Sequence, residues 1–202
     1  MSSNLNGRLL EATCQTISEH ADELTRLDQA IGDGDHGINM KRGFDALAAA
    51  AEELQQLDLP SALQKAGMLL VMNVGGASGP LYGSLLMAMG KAAVDTPSCV
   101  DDVVSMLRAG VDAVKARGKS DVGAKTMLDV LVPVLEAIEK NPASPCAAAR
   151  QAADMGLEAT RAMQATKGRA SFLGERSIGH LDPGARSSAL LVHAICNVLE
   201  DS

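Results

Sequence analysis

The chain has 202 residues, 47% of them hydrophobic and only 1% aromatic, and a formal net charge of −7. That length fits one domain with a good core, and the core must come from Leu, Ala, Val, Ile and Met, a composition that leans all-α. The negative balance argues against non-specific nucleic-acid binding and against an anionic membrane surface. With no membrane-spanning run and no signal-peptide pattern, a cytoplasmic protein is expected. Cys14, Cys99, Cys146 and Cys196 form no C-x-x-C pair, so zinc and redox motifs are unsupported and buried free thiols are expected.

From Asn4 to Leu24, the residues Leu10, Cys14, Ile17, Ala21 and Leu24 recur at helical spacing and predict a first amphipathic helix. A second is expected over about Ile38–Leu57, with Met40, Phe44, Leu47, Ala51 and Leu54 on one side. Pro60 opens a third. It leads into Met68–Met72, apolar nearly all round, which predicts a central position. Leu81, Leu85, Met89 and Ala92 mark a fourth helix. A fifth runs from about Cys99 to Ala116, and Leu128, Leu131, Leu135 and Ile138 mark a sixth, capped by Thr126 and open to a kink at Pro133. An Ala-rich seventh is expected to reach about Thr166, and an eighth covers about Ala185–Leu199. The stretch Lys167–Gly184 is the longest without helical period, the kind of loop that is functional or disordered.

The expectation is one domain over residues 1–202: eight helices with no strand, no internal repeat and no domain boundary. Numbering the connections one to seven exposes a regularity. The second, fourth and sixth are Pro-containing breaks at Leu59-Pro60, Thr96-Pro97-Ser98 and Asn141-Pro142. The odd-numbered ones are polar and hold most of the 19 glycines. In an up-and-down array alternate connections share one end. Parity therefore gathers glycines, acidic residues and loop cations at that end.

The first connection, Leu27–Asn39, carries Asp28, Asp33 and Asp35 with His36 beside them. Carboxylates crowded on a glycine turn repel one another unless a cation sits among them, and hard oxygen donors suit Mg²⁺ or Ca²⁺. Ordinary turn and cap chemistry accounts for one such Asp, less well for three. The third, Val74–Pro80, offers backbone N–H groups at Gly76-Ala77-Ser78-Gly79 leading into a helix N-terminus, which attracts anions; a tight helix–helix turn reads the same way. The fifth and seventh offer Lys119, Lys125, Lys167, Arg169, Arg176 and Arg186, each of which alone reads as solvated surface charge. His36 and the weaker His180 are candidates for phosphate contact or proton transfer, while His20 and His193 read as structural. Carboxylates, metal, phosphate and Arg together make the set used in phosphoryl transfer, yet no Walker motif is present.

Four ordered stretches carry a resemblance: Ile31-Gly32-Asp33-Gly34-Asp35-His36-Gly37, Gly75–Gly83, Lys125-Thr126-Met127 and Lys167–His180. Together they resemble DhaL, the nucleotide-binding subunit of dihydroxyacetone kinase, over essentially the whole chain. The resemblance implies a closed barrel of eight antiparallel up-and-down helices with ADP or ATP at one end. It implies two Mg²⁺ on Asp28, Asp33 and Asp35. It places His36, Gly37, Ile38, Asn39, Ala77 and Ser78 along the phosphates. Gly118, Thr126, Met127, Arg176, Asp182, Pro183 and Gly184 would line the nucleotide, with Arg176 and His36 as phosphate stabilisers. Ala124 stands where the family often has Asp, which leaves that loop its backbone contacts. The implied acceptor partner is DhaK, which binds dihydroxyacetone, and the phosphocarrier DhaM would rephosphorylate bound ADP. The alternatives are the L subunit of an ATP-dependent triose or tetrose kinase, or a nucleotide-loaded adaptor for a transcription regulator; a homodimer is left open.

Overall fold

The computed structural model describes residues 5–201, and among them there is no strand. Ten α-helices follow in chain order: α1 Leu5–Glu19, α2 Ala21–Ile31, α3 His36–Ala49, α4 Ala51–Gln55, α5 Leu59–Asn73, α6 Ser78–Ala92, α7 Val100–Gly118, α8 Leu128–Lys140, α9 Pro145–Ala159 and α10 Pro183–Glu200. Two 3-10 segments, Thr160–Ala162 and Arg169–Ser177, lie between α9 and α10. Asn4, the expected start of the first helix, lies outside the described residues.

Ten helices replace the eight expected because two of the predicted rods are bent. The break between α1 and α2 is the single residue His20 (φ −101°, ψ 7°). Hydrogen bonds run through it, from His20 N to Thr16 O and from Leu24 N to His20 O. Ala50 (φ −95°, ψ 9°) separates α3 from α4 in the same way, with Ala50 N on Ala46 O and Leu54 N on Ala50 O. A one-residue bend leaves hydrophobic periodicity almost intact, so it escapes pattern reading.

The helices pack in sequence order. α1 and α2 lie on α3, α3 on α5, α5 on α6, and so on through α7, α8 and α9 to α10, which returns to α1 and α2. Leu128, Val130, Leu131, Val134, Leu135 and Ile138 of α8 are all buried. That helix continues through Pro133. The third predicted helix is not the central one. In α5, Ala66, Gly67 and Leu70 face inward, while Met68, Val71 and Met72 are exposed, Met72 by 76%. Hydropathy without a polar stripe could not separate a buried helix from one with an apolar outer face.

Helix ends shift the boundaries of two connections, the first and the last. α2 continues to Ile31, so Asp28 sits in a helical last turn. α9 stops at Ala159 rather than Thr166. The stretch expected to lack helix holds the nine-residue 3-10 segment, bent at Gly174. α10 begins at Pro183, where a missing N–H costs nothing. No helix among the described residues is long and apolar enough to cross a membrane. Of the four free cysteines only Cys196 is buried; Cys99 is exposed and the other two are intermediate.

Candidate functional site

One cavity takes its wall from all four odd-numbered connections: Asp28, Asp33, Asp35 and His36 from the first, Gly75–Ser78 from the third, Lys125–Met127 from the fifth, and Lys167–Ala170 with Asp182–Gly184 from the last. The parity of the loops is thus realised in space.

Asp28, on the last turn of α2, is buried. Its Oδ2 accepts hydrogen bonds from the N–H groups of Asp35 (2.8 Å) and His36 (3.1 Å), so it caps the start of α3. Gly34 makes the turn at φ 78°, a conformation that favours glycine. This returns Asp33 and Asp35 toward Asp28. One carboxylate oxygen from each of the three lies within 4.8 Å of the others, and no other such cluster of potential metal ligands occurs among the described residues. Three hard oxygen donors at that spacing fit a divalent cation. Asp33 also pairs with Arg169 Nε of the last connection at 2.9 Å.

Three helix N-termini meet the cavity. α3 is capped by Asp28, and α10 by Asp182, whose Oδ2 accepts from Ala185 N at 2.7 Å. The first turn of α6 has no side-chain cap. Its N–H groups remain available to an anion, which makes this the natural seat for a phosphate.

His36 joins these termini. Its Nδ1 lies 3.0 Å from Ser78 Oγ on α6, and its Nε2 lies 3.0 Å from Ser187 Oγ on α10. Tyr82 OH stands 2.8 Å from both Ser187 Oγ and Ser188 Oγ. Ser187 directs its hydroxyl proton to Gly184 O at 3.0 Å. On that assignment it accepts from His36 Nε2–H, leaving Nδ1 to accept from Ser78. Burial pushes the His36 pKa down, against the opposing pull of Asp28 and Asp35, and the imidazole is neutral at pH 7. Burial likewise pushes the Tyr82 hydroxyl up to about 12.

The floor is ionic. Asp129 draws the fifth connection tight, accepting from Gly123 N at 2.5 Å and Thr126 N at 2.7 Å. Asp182 is buried at the cavity wall. Burial raises its pKa to about 7; the Ala185 N–H opposes this, Asp129 adds to it, and Lys125 opposes it.

Of the expected site residues, Asp28, Asp33, Asp35, His36, Ala77, Ser78, Thr126, Met127, Asp182, Pro183 and Gly184 line the cavity, and Gly37, Ile38, Asn39, Gly118 and Arg176 do not. Gly37 is packed on Ala21 and Thr25, and Ile38 is exposed. Asn39 accepts from Arg42 Nη2. Gly118 ends α7, and Arg176 is exposed in the last turn of the 3-10 segment. Lys125, counted among the anion-binding cations, spends its ammonium on backbone carbonyls, and Arg186 pairs with Glu23. Thr126 caps α8 from one residue before the N-cap position, which is Met127: its Oγ1 accepts from Leu128 N at 3.2 Å. His20 is held by a local bond to Thr16 O, and His193 of α10 by Asp154 Oδ1 of α9. Sequence reasoning assigned no role to Tyr82, Ser187 or Asp129. A signal existed for the first two: the single tyrosine of the chain, and a serine pair at the head of an apolar helix.

An all-helical fold that gathers carboxylates and an uncapped helix N-terminus around one cavity is a helical domain suited to hold a cation beside an anion. Residues 30–197 match the family described as DAK2 domain, and the chain belongs to that family. It is 46% identical over 181 residues to the "PEP-dependent dihydroxyacetone kinase 1, ADP-binding subunit DhaL" of Listeria innocua, covering 90% of this chain and 89% of that one. Identity to the corresponding subunit of Escherichia coli is 43% over 186 residues, covering 89% of each chain. The D-erythrulose kinase of Mycolicibacterium smegmatis is 37% identical, but the chain spans only 35% of its length. Among solved structures, the dihydroxyacetone kinase of C. freundii in complex with AMP-PNP and Mg²⁺ superposes with a TM-score of 0.78 at 28% identity, over 97% of this chain and 34% of that one.

Proposed function

We propose that the chain is the ADP-binding subunit of a phosphoenolpyruvate-dependent dihydroxyacetone kinase, built as a closed barrel of eight antiparallel helices. Two observations of the site support a nucleotide–magnesium reading: the carboxylate trio and, lining the same cavity, the uncapped α6 N-terminus. The second carries it, because an acidic cluster alone would hold a cation without calling for phosphate.

In this reading Asp28, Asp33 and Asp35 hold two Mg²⁺ ions, which neutralise charge on the nucleotide phosphates. Ala77 and Ser78 receive phosphate oxygens on backbone N–H groups, and His36, neutral and fixed by Ser187, orients the Ser78 hydroxyl. Thr126, Met127, Asp182, Pro183 and Gly184 line the nucleotide. Gly37, packed on α2, and Asn39, packed on Gly75, support those loops from behind. Arg176 remains a phosphate stabiliser only if its segment closes over the cavity. The bound ADP is phosphorylated by a phosphocarrier, DhaM. The γ-phosphoryl group of the resulting ATP then passes to a hydroxyl of dihydroxyacetone on DhaK, giving dihydroxyacetone phosphate and restoring ADP.

The identity to a D-erythrulose kinase favours one second reading, an L subunit using exchangeable ATP on a triose or tetrose. Reconstitution separates the two. The chain is mixed with a dihydroxyacetone-binding subunit and supplied either with phosphoenolpyruvate and a phosphocarrier system or with free ATP. Dihydroxyacetone phosphate formed only with the first supply is expected. Turnover with free ATP alone selects the second reading, and no product with either rejects both.

A further inference from the structure

The segment between α9 and α10 brings Lys167, Gly168, Arg169 and Ala170 to the cavity wall. What holds that wall in place is a group no functional assignment uses. Lys125 is 1% exposed, the largest of the fully buried side chains. Its Nζ donates to Thr160 O (2.6 Å), Met163 O (3.2 Å) and His180 O (2.5 Å). An ammonium has three N–H donors and no acceptor, so all three are satisfied. The three carbonyls come from the two ends of one excursion: Thr160 and Met163 where it leaves α9, His180 where it rejoins α10.

The residue is in turn held in an unusual backbone conformation, φ 61°, which non-glycine residues adopt rarely. Asp129 fixes the peptides on either side of it. The neighbouring Ala124 O accepts from Thr166 N, and Gly179 N donates to Arg161 O, closing the same neck. Beyond it, a small apolar patch of Ile31, Ala165 and Ala170, with Leu173 against it, and the exposed Arg169–Asp33 pair hold the loop to the body.

We propose that Lys125 is a positioning residue. Its buried ammonium is the knot that ties both stems of segment 163–180 together, and so sets the wall of the cavity over a bound nucleoside diphosphate. The proposal rests on the nucleotide reading for its ligand but not for its geometry. Without the ammonium, three buried carbonyls lose charge-assisted bonds, and opening of the segment becomes easier while the helical body stays intact.

The test compares Lys125→Met with the unaltered chain by amide hydrogen exchange and by the release rate of ADP with Mg²⁺. Exchange at Ala165, Thr166 and Gly179 is expected to rise about ten-fold or more, with α5 and α7 amides unchanged and ADP release faster by a similar factor. Equal acceleration throughout the chain, or no change at the three loop amides, overturns the proposal, because a merely stabilising lysine acts globally. If Lys125→Met does not fold, Lys125→Gln carries the test. Its amide keeps two N–H donors for these carbonyls but no charge, and the same local pattern is required of it. If the unaltered chain does not bind ADP, the nucleotide reading fails while the exchange pattern still decides the role of Lys125.

Discussion

Asp33 and Asp28 are chemically identical side chains in different situations. Asp28 is buried and committed to two backbone N–H groups at the head of α3, whereas Asp33 is exposed and its partner is the likewise exposed Arg169. Substituting them therefore separates binding from folding. Asp33→Ala is expected to leave thermal stability almost unchanged and to weaken binding of ADP with Mg²⁺ by more than the roughly 10–100-fold typical of outer metal partners, measured by calorimetric titration. Normal affinity in that variant removes Asp33 from the metal set. Tyr82→Phe tests the inner hydroxyl chain. It deletes bonds to Ser187 and Ser188 in a buried site and is expected to cost about 1–3 kcal/mol in urea unfolding. Unaltered stability would mean that the serines find other partners.

At the scale of elements, the approach of α3 to α2 sets the spacing of the carboxylates. A Cβ on Gly37 would run into Ala21 O and Thr25. Gly37→Ala is expected to destabilise the fold by about 1–3 kcal/mol through overpacking, and to weaken nucleotide binding because His36 and Asp35 move with α3; unchanged stability by chemical denaturation contradicts this packing. Elements were where the sequence was most and least legible. Loop parity placed the acidic turn, the Gly75–Ser78 loop, the Lys125 loop and the last connection together without coordinates, because short connections force neighbours to alternate. The bends at His20 and Ala50 were not legible, since one residue with ψ near zero leaves the apolar stripe in register. The 3-10 segment 169–177 was missed because its three-residue repeat and the break at Gly174 match no helical period. The role of Lys125 was hidden for another reason: a lysine in a Gly-containing loop reads as solvated, and only the folded neck reveals three carbonyls converging on it.

For the whole molecule, pH is a probe of the buried ionic floor. The Asp182 carboxyl is raised from 3.8 to about 7 by burial. Between those values the folded chain binds more protons at this group than the unfolded chain, so its contribution to stability is fully present below about 3.8 and is lost as pH rises through about 7. Asp182→Asn keeps an oxygen to cap α10 and cannot ionise. It is expected to flatten that fall in unfolding midpoint between pH 4 and 7. A profile identical to that of the unaltered chain would show that Asp182 is ionised at low cost. The ring of helices, closed by α10 against α1 and α2, keeps the site at one end, where α3, α6 and α10 present their N-termini together. That convergence is the reason to assign one nucleotide to this cavity rather than a cation alone. The most direct measurement is nucleotide and metal analysis of the intact protein after exhaustive desalting. Stoichiometric ADP with magnesium, released by a chelator and lost in Asp33→Ala, is the predicted result. A protein that emerges empty, and binds neither ADP nor ATP when Mg²⁺ is added back, would contradict the account.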